Sequence, residues 1–334
     1  MIDGDVMPKT VKLLPSKVEF LVQKDQTILE AALSKNINLE YSCSNGQCGK
    51  CLAILESGDV SMGGHSLDFE LKEKQVLTCM SSPKTNLVVK AHYFKELESI
   101  ERKTLPVKVD SYVYISDEIL TVNLRLPPTA NFDYLAGQYV DLMWGGKKRS
   151  YSLASNKVKN NILELHIKKV EAGVFSQFLF NDLKLNQLLR FYGPLGTFFV
   201  RESKKPIILL CTGSGFAPVK AMVEQLIEDN SDREIYIYWG GRYIKDIYSD
   251  LPMQWIKQYS NIFYTPVYSR EIELTRGEAK GYCQHEVIQK HQNLDGFEVY
   301  ACGSNEMIHD AKSLFVKHGL QGENFHSDSF LPSN

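Results

Sequence analysis

Four cysteines in the first quarter of the chain carry the clearest chemistry. Cys43, Cys48 and Cys51 read C-x4-C-x2-C, and Cys79 follows alone from a distant segment. This is the spacing of a plant-type [2Fe–2S] site. Three thiolates from one loop are expected to wrap one end of a small cluster, and the fourth to close the far iron. Gly46 and Gly49 lie inside the loop. Their freedom in φ and ψ lets backbone N–H groups turn toward the sulfurs, which stabilises the negative charge there. Zinc is the competing reading for clustered cysteines, but it favours two close C-x2–4-C pairs, and only one short pair exists here. The eight histidines form no H-x3-H spacing, so no zinc site is expected elsewhere.

A second constellation lies near the middle, at Arg149-Ser150-Tyr151-Ser152. In a strand, Arg149 and Tyr151 share one face and the two serines the other. A ring to stack on, a cation for a pyrophosphate and a hydroxyl for a redox edge suit a flavin. Four residues alone are equally the edge of an ordinary hairpin. Two segments further along the chain strengthen the flavin reading by their order and spacing. Gly173-Val174-Phe175-Ser176 precedes a helical run, Gln177 to Leu183, whose first N–H groups suit phosphate. Gly193-Pro194-Leu195-Gly196-Thr197-Phe198 then reads as a tight turn.

The third constellation begins with Pro206 to Cys211 (PIILLC), an apolar run of the kind that forms a buried parallel strand. It enters Thr212-Gly213-Ser214-Gly215-Phe216-Ala217-Pro218 and then an amphipathic helix from Val219 to Glu228. Strand, glycine-rich turn and helix make a dinucleotide site, with Gly213 and Gly215 letting backbone approach a pyrophosphate. Pro218 stands where the third glycine usually falls and suits a first helical turn. Cys302 ends a later strand, Glu298 to Ala301, where ligands of parallel sheets bind. It is expected beside a nicotinamide ring, with Cys211 and Cys283 as packing.

These groups need three kinds of scaffold. For the cysteine loop, Val11 to Leu14 and Val18 to Val22 alternate as a hairpin. Thr27 to Lys35 has helical apolar spacing with Asp25 as a cap, and Leu52 to Leu55 and Leu87 to Ala91 read as strands. His92 to Thr104 is charged and reads as a linker. For the second group, Pro106 to Ser116, Ile119 to Leu126, Tyr139 to Met143 and Ile162 to Lys169 read as strands of an antiparallel barrel. For the third, strands at Glu234 to Trp239, Ile262 to Val267 and Glu298 to Ala301 alternate with helices, giving a doubly wound parallel sheet. The fold class expected is therefore multidomain. Residues 8–98 form a β-grasp ferredoxin domain, 103–203 an antiparallel β-barrel FAD domain, and 204–334 an α/β NAD(P)H domain.

Composition agrees. A chain of 334 residues is long enough for two or three domains, each with its own core. The formal net charge of −2 offers no electrostatic case for nucleic acid or an anionic membrane as partner. No apolar run reaches the roughly 20 residues of a membrane span. The start, MIDGDVMPKT, has no apolar core of a secretory signal. A cytoplasmic location is expected, where cysteines serve as ligands or free thiols rather than disulfides.

Taken together, these regions resemble the ferredoxin–NADP reductase superfamily, in the iron–sulfur, FAD, NAD order of the reductase components of bacterial oxygenases. The resemblance covers nearly the whole chain. It implies that Cys43, Cys48, Cys51 and Cys79 hold the cluster. It implies that Arg149 contacts the FAD pyrophosphate, Tyr151 stacks on the flavin and Ser152 lies near its N5. Gly173, Val174 and Ser176 match the family's second phosphate turn, and His166 and Lys168 are taken with the cofactor-contacting residues. Thr212, Gly213, Gly215, Pro218, Gly240, Arg242, Cys302 and Gly303 fall in the NAD motifs. Phe330 resembles the aromatic that covers the flavin until nicotinamide displaces it. Ser152 and Cys302 are the residues implied at the reaction itself.

Stretches outside the motifs, such as Leu124 to Leu142, Gly196 to Glu202 and Gly215 to Glu224, are similar to the branch serving 3,6-dideoxyhexose synthesis. That implies a pyridoxamine-phosphate-dependent iron–sulfur dehydrase as electron acceptor. An oxygenase component is the alternative partner. A non-redox iron–sulfur sensor with vestigial FAD and NAD signatures is a third reading. Among nicotinamides NADH is favoured over NADPH, although Arg242 follows the second strand and the first acid, Asp246, comes four residues later. Electrons are expected to leave near Cys43–Cys51.

Overall fold

The computed structural model describes residues 7–63, 70–171, 173–274 and 277–330. The chain divides into two compact units, Met1–Arg102 and Lys103–Asn334. The start of the chain, which bears on a secretory signal, lies mostly outside the described residues.

In the first unit the elements run β1 (Lys9–Leu14), β2 (Glu19–Val22), α1 (Ile28–Ser34), β3 (Leu52–Ser57), β4 (Val60–Met62), β5 (Gln75–Leu77), β6 (Ser81–Pro83) and β7 (Leu87–Lys90). Five strands make a mixed sheet in the order β2-β1-β7-β3-β5, with β4 and β6 paired apart. This is the β-grasp arrangement, with β1 and β7 parallel at its centre. Helix α1 buries Ile28, Leu29, Ala31 and Ala32 in a core with Val11, Leu13 and Val89. Its cap is Thr27, not Asp25. The Thr27 hydroxyl accepts from the Glu30 N–H at 3.1 Å, and the Glu30 carboxylate accepts from the Thr27 N–H at 2.9 Å. The two reciprocal bonds form a capping box. Asp25 instead takes a left-handed turn with φ +64°.

The stretch expected as a linker is docked. Phe94, Leu97 and Ile100 are buried, the Phe94 N–H donates to the Asn38 carbonyl, and the Arg102 guanidinium donates to Leu33 O, Asn36 Oδ1 and Asn38 Oδ1. Apolar residues every third position supply the contact that charge-rich composition hid.

The second unit opens with β8 (Lys103–Tyr114), β9 (Ile119–Arg125), β10 (Tyr139–Trp144), β11 (Lys147–Ser152), β12 (Ile162–Lys168), α2 (Val174–Gln177) and β13 (Leu188–Leu195). The strands form an antiparallel sheet, β11-β10-β13-β8-β9-β12. The sheet curls until its edges meet, where Leu153 bridges Leu165 and the Ala154 N–H donates to the Glu164 carbonyl at 2.8 Å. Alternation sends Leu163, Leu165 and Ile167 of β12 into the barrel core. Glu164, His166 and Lys168 are left on the outer side. Gly193 to Leu195 do not form the expected tight turn. They continue β13, with Gly193 opposite Lys103 and Leu195 opposite Tyr139. The chain turns only at Gly196, where φ is +85° and the Tyr139 ring leaves no room for a Cβ.

The remainder is β14 (Ile207–Thr212), α3 (Phe216–Glu228), β15 (Ile235–Gly241), α4 (Leu251–Gln258), β16 (Ile262–Tyr268), β17 (Ala279–Lys280), α5 (Cys283–His291), β18 (Glu298–Ser304), α6 (Asn305–Lys317) and β19 (Phe325–Phe330). All strands are parallel, in the order β17-β16-β15-β14-β18-β19. Cores lie on both faces of the sheet. The chain leaves β14 toward β15 and returns on its other side at β18. This switch point places a crevice beyond the C-terminal ends of β14 and β18. Strand β19, polar in sequence, is an element the apolar pattern did not reveal. Among the described residues no helix is long and apolar enough to cross a membrane.

Candidate functional site

The four cysteine thiols gather two and two. Cys51 Sγ lies 3.0 Å from Cys79 Sγ, and the Cys48 thiol hydrogen-bonds Cys43. The sequence reading placed three at one end. Cys51 instead joins Cys79 because each borders one of two paired strands, with Leu52 opposite Leu77. The hydrogen bond from Cys48 holds the Cys43 thiol down at about 6 against the opposing effect of burial. Backbone N–H groups of Asn45, Cys48 and Gln47 add to it, and the Cys48 nitrogen lies 3.4 Å from the Cys43 sulfur. The loop achieves this with left-handed backbone at Ser44, Gly46 and Gly49. Beside Cys79 in sequence, the buried Thr78 and Ser81 hydroxyls have no hydrogen-bond partner among the described residues. Among the described residues no three acidic, His or Cys side chains converge as one bare ion requires. Two pairs of thiols, inward N–H groups and two orphan hydroxyls fit the wider, anionic two-iron cluster.

On the barrel, Arg149 and Tyr151 share one face of β11, facing Leu142 and Val140 of β10 in register. The Arg149 guanidinium donates to the Lys148 carbonyl at 2.8 Å. Burial raises the Tyr151 phenol well above its ordinary range, so it is a neutral ring. Its centroid lies 6.2 Å from that of Phe175, so α2 and the Gly173 turn stand beside the Arg149–Tyr151 face. The Ser176 hydroxyl accepts from the Val170 N–H at 2.9 Å and shapes that turn, while Gly173 as N-cap leaves the first N–H groups without a side-chain cap. Ser152 is buried at the end of β11, and Val174 is exposed. These residues fit a flavin with its phosphates at the turn.

At the switch point the structure packs Thr212, Gly215, Gly240, Cys302 and Gly303 together. Thr212 is opposite Gly240, and Cys211 opposite Cys302. A Cβ on Gly215 would stand 2.9 Å from the Cys302 carbonyl carbon, one on Gly240 2.8 Å from Cys283 Sγ, and one on Gly303 would strike the Thr212 hydroxyl. Glycine is required at all three for close approach. Cys302 is fully buried among Cys211, Phe216 and Tyr300, and burial raises its thiol far above the usual value. It is a neutral thiol rather than a thiolate. The turn Gly213–Gly215 has no side-chain cap, and Lys168 Nζ approaches it to 4.0 Å from a Cβ built on Gly213. Pro218 falls in the first turn of α3, where no N–H is needed. Phe330 ends β19 opposite Ser304, partly exposed at the same sheet edge. After β15 the Asp246 carboxylate accepts from the Arg242 and Tyr243 N–H groups at 2.7 and 3.0 Å. These residues fit a nicotinamide dinucleotide.

The polar contacts of His166 go to Glu164 and Tyr248. Its Nε2 meets Glu164 Oε1 at 2.8 Å and its Nδ1 the Tyr248 hydroxyl at 2.9 Å. Glu164 Oε2 accepts from Lys220 at 2.9 Å. Burial disfavours charge on Glu164, but the His166 hydrogen bond and the Lys220 ammonium outweigh it and hold the carboxyl down at about 2. Sequence reasoning did not single out Lys220 or Tyr248. The available signal was a lone lysine in the apolar stripe Val219-Lys220-Ala221-Met222-Val223.

Three family models cover most of the chain. A 2Fe-2S iron-sulfur cluster binding domain matches residues 11–84, an oxidoreductase FAD-binding domain 106–200 and an oxidoreductase NAD-binding domain 209–313. The chain is 46% identical over 98% of its length to all of the CDP-6-deoxy-L-threo-D-glycero-4-hexulose-3-dehydrase reductase of Yersinia pestis. It is 28% identical to the reductase component 1 of terephthalate 1,2-dioxygenase of Comamonas, covering 98% of each chain. The crystal structure of the Amycolatopsis cytochrome P450 reductase GcoB matches with a TM-score of 0.80 at 24% identity, covering 97% of this chain and 99% of that one.

Proposed function

The chain belongs to the ferredoxin–NADP reductase family, as an oxidoreductase with [2Fe–2S], FAD and NAD domains, and from that premise we propose that it is the reductase of a sugar-deoxygenating system. Its electron acceptor is a pyridoxamine-phosphate-dependent iron–sulfur dehydrase that holds a CDP-6-deoxyhexose intermediate, the step assigned to CDP-6-deoxy-Δ3,4-glucoseen reductases. The observation that carries this reading is the 46% identity to the Yersinia dehydrase reductase over 98% of the chain, against 28% to the dioxygenase reductase.

When bound, FAD would supply two-electron hydride chemistry with NADH, and the [2Fe–2S] cluster would supply one-electron transfer. The residues divide that work. Arg149 neutralises the FAD pyrophosphate with the Gly173–Ser176 turn, Tyr151 packs on the flavin and Ser152 donates near its N5. Gly213 and Gly215 admit the NADH pyrophosphate to the start of α3. Cys302, fully buried and neutral, packs behind the glycine turn at the end of β18 and supports the nicotinamide site from beneath rather than lining it, and Phe330 covers the flavin until nicotinamide arrives. NADH is the favoured nicotinamide, and the Asp246 carboxylate, held in the turn after β15 by the Arg242 and Tyr243 N–H groups, adds negative charge unfavourable to a 2′-phosphate. Cys43, Cys48, Cys51 and Cys79 hold the cluster, and the partner docks at the exposed side of their loop, in the cytoplasm. The modules are 8–98, 103–203 and 204–334.

The test is reconstitution. With NADH, the purified holoprotein should accelerate deoxygenation by a glucoseen dehydrase. No acceleration there, with electron delivery to an aromatic-ring oxygenase instead, selects the oxygenase reading. Absence of a flavin band, or no bleaching with NADH, would remove the enzyme reading entirely.

A further inference from the structure

The outer face of β12 carries a network that joins the barrel to the parallel sheet. Lys220, on the first turns of α3, is 7% exposed, and its ammonium has three acceptors: Ala154 O at 2.8 Å, Glu164 Oε2 at 2.9 Å and Glu224 Oε1 at 2.9 Å. All three N–H donors are used. Glu164 spends its second oxygen on His166, and His166 its second nitrogen on Tyr248. An ionised carboxylate only accepts, so Nε2 carries hydrogen toward Glu164, and in the neutral ring Nδ1 accepts from the Tyr248 hydroxyl. Glu164 and His166 belong to the barrel, and Lys220 and Tyr248 to the parallel-sheet half. The chain of bonds therefore passes twice between the barrel and the parallel-sheet half.

What it holds lies next to the candidate reaction site on each side. Ala154, whose carbonyl Lys220 holds, is two residues beyond Ser152. Helix α3 begins at Gly215 and Phe216. Gly215 lies against the Cys302 carbonyl, and Phe216 stacks on Trp239 at 3.9 Å with Tyr248 edge-on to both rings. A shift of Lys220 against Glu164 thus moves Cys302 relative to Ser152.

We propose that Lys220, Glu164, His166 and Tyr248 form a positioning network that fixes the parallel sheet against the barrel and so sets the separation a hydride crosses between nicotinamide and flavin. None of the four touches the reacting atoms in this assignment. The inference rests on the proposed NADH-to-FAD activity and adds the residues that position it. Displacements of about 1 Å are enough to lower such rates by up to roughly 100-fold.

The test uses the holoprotein. Tyr248→Phe removes one hydroxyl and keeps the ring, and Lys220→Met removes the charge and keeps the chain length. Both should lower the limiting rate of flavin reduction at saturating NADH, by about 3-fold and about 10-fold or more respectively, with KM for NADH changed far less. Amide exchange should quicken at 152–156 and 216–222 and stay unchanged in the first unit. Glu164→Gln combined with Lys220→Met removes both members of the ion pair and should regain thermal stability over Lys220→Met alone while the rate stays low. A rate that returns with stability, unchanged rates in both single variants, or a fall matching only the loss of bound flavin would overturn the proposal. If wild-type protein itself is not reduced by NADH, the functional reading fails rather than the network.

Discussion

Replacing Gly215 by alanine should damage the protein more than the same change at Gly213, for a different physical reason. Gly215 has ordinary helical angles, φ −59° and ψ −11°, so alanine there meets no backbone penalty. Its methyl group, however, would stand 2.9 Å from the Cys302 carbonyl carbon, with the carbonyl oxygen closer still. Both atoms belong to β18, which is hydrogen-bonded on both sides by β14 and β19, so neither can swing away as a side-chain tip would. Either β18 or the start of α3 must retreat, and overpacking of this kind costs about 1–3 kcal/mol.

Gly213 is the opposite case. Its φ is +52°, and the nearest atom to an added Cβ is Lys168 Nζ at 4.0 Å. The cost there is left-handed backbone alone, about 1 kcal/mol. In a differential scan, Gly215→Ala should lower the melting temperature of the second unit by roughly 5–10 °C and Gly213→Ala by roughly 2–4 °C. Because the retreat separates the glycine turn from Cys302, Gly215→Ala should also lose about tenfold or more in NADH-to-ferricyanide turnover. A Gly215→Ala protein that melts and turns over like wild type, or that is the milder of the two, would refute the close-approach argument.

Three other outcomes are expected. Cys79→Ser should keep NADH-to-dye turnover but lose cluster absorbance and one-electron delivery; equal loss of both activities would contradict the division of tasks. Arg233→Met strands Glu298, whose carboxylate the guanidinium meets at 2.8 Å with both side chains buried, and should cost about 3–5 kcal/mol in urea unfolding. A loss below about 1 kcal/mol would show that Tyr300, at 3.0 Å from the same carboxylate oxygen, suffices. Glu164 has its carboxyl lowered to about 2 from 4.5, so the stability it contributes is complete above about pH 4.5 and drains away as pH falls toward 2. The amount is on the order of 3 kcal/mol, and Glu164→Gln should flatten that acid limb of the stability profile, an unchanged limb excluding the assignment.

Local pattern made much of the molecule legible. The cysteine spacing, the PIILLC strand with its glycine turn, and the alternation in the barrel strands are each short-range signals, and each element formed where it was read. The errors share a cause too. Asp25 and Thr27 are both good caps, and only the helix phase, with Glu30 three residues on, selects Thr27. Polar Phe325–Phe330 becomes a strand because β18 offers a full edge of unpaired backbone. Phe94, Leu97 and Ile100 are buried inside a segment whose composition is charged.

What the sequence determined by itself is the inventory. The thiols and glycines announce their chemistry because each ligand set is held within a few residues of loop or turn, so spacing alone constrains geometry. What only the tertiary structure decided is how those sets are matched. The thiols pair two and two because β3 and β5 are neighbours in the sheet. Gly215 is indispensable because a strand from far along the chain passes against it. Lys220 is buried because a glutamate from another module neutralises it. Each depends on contacts distant in sequence, which periodicity and spacing do not encode.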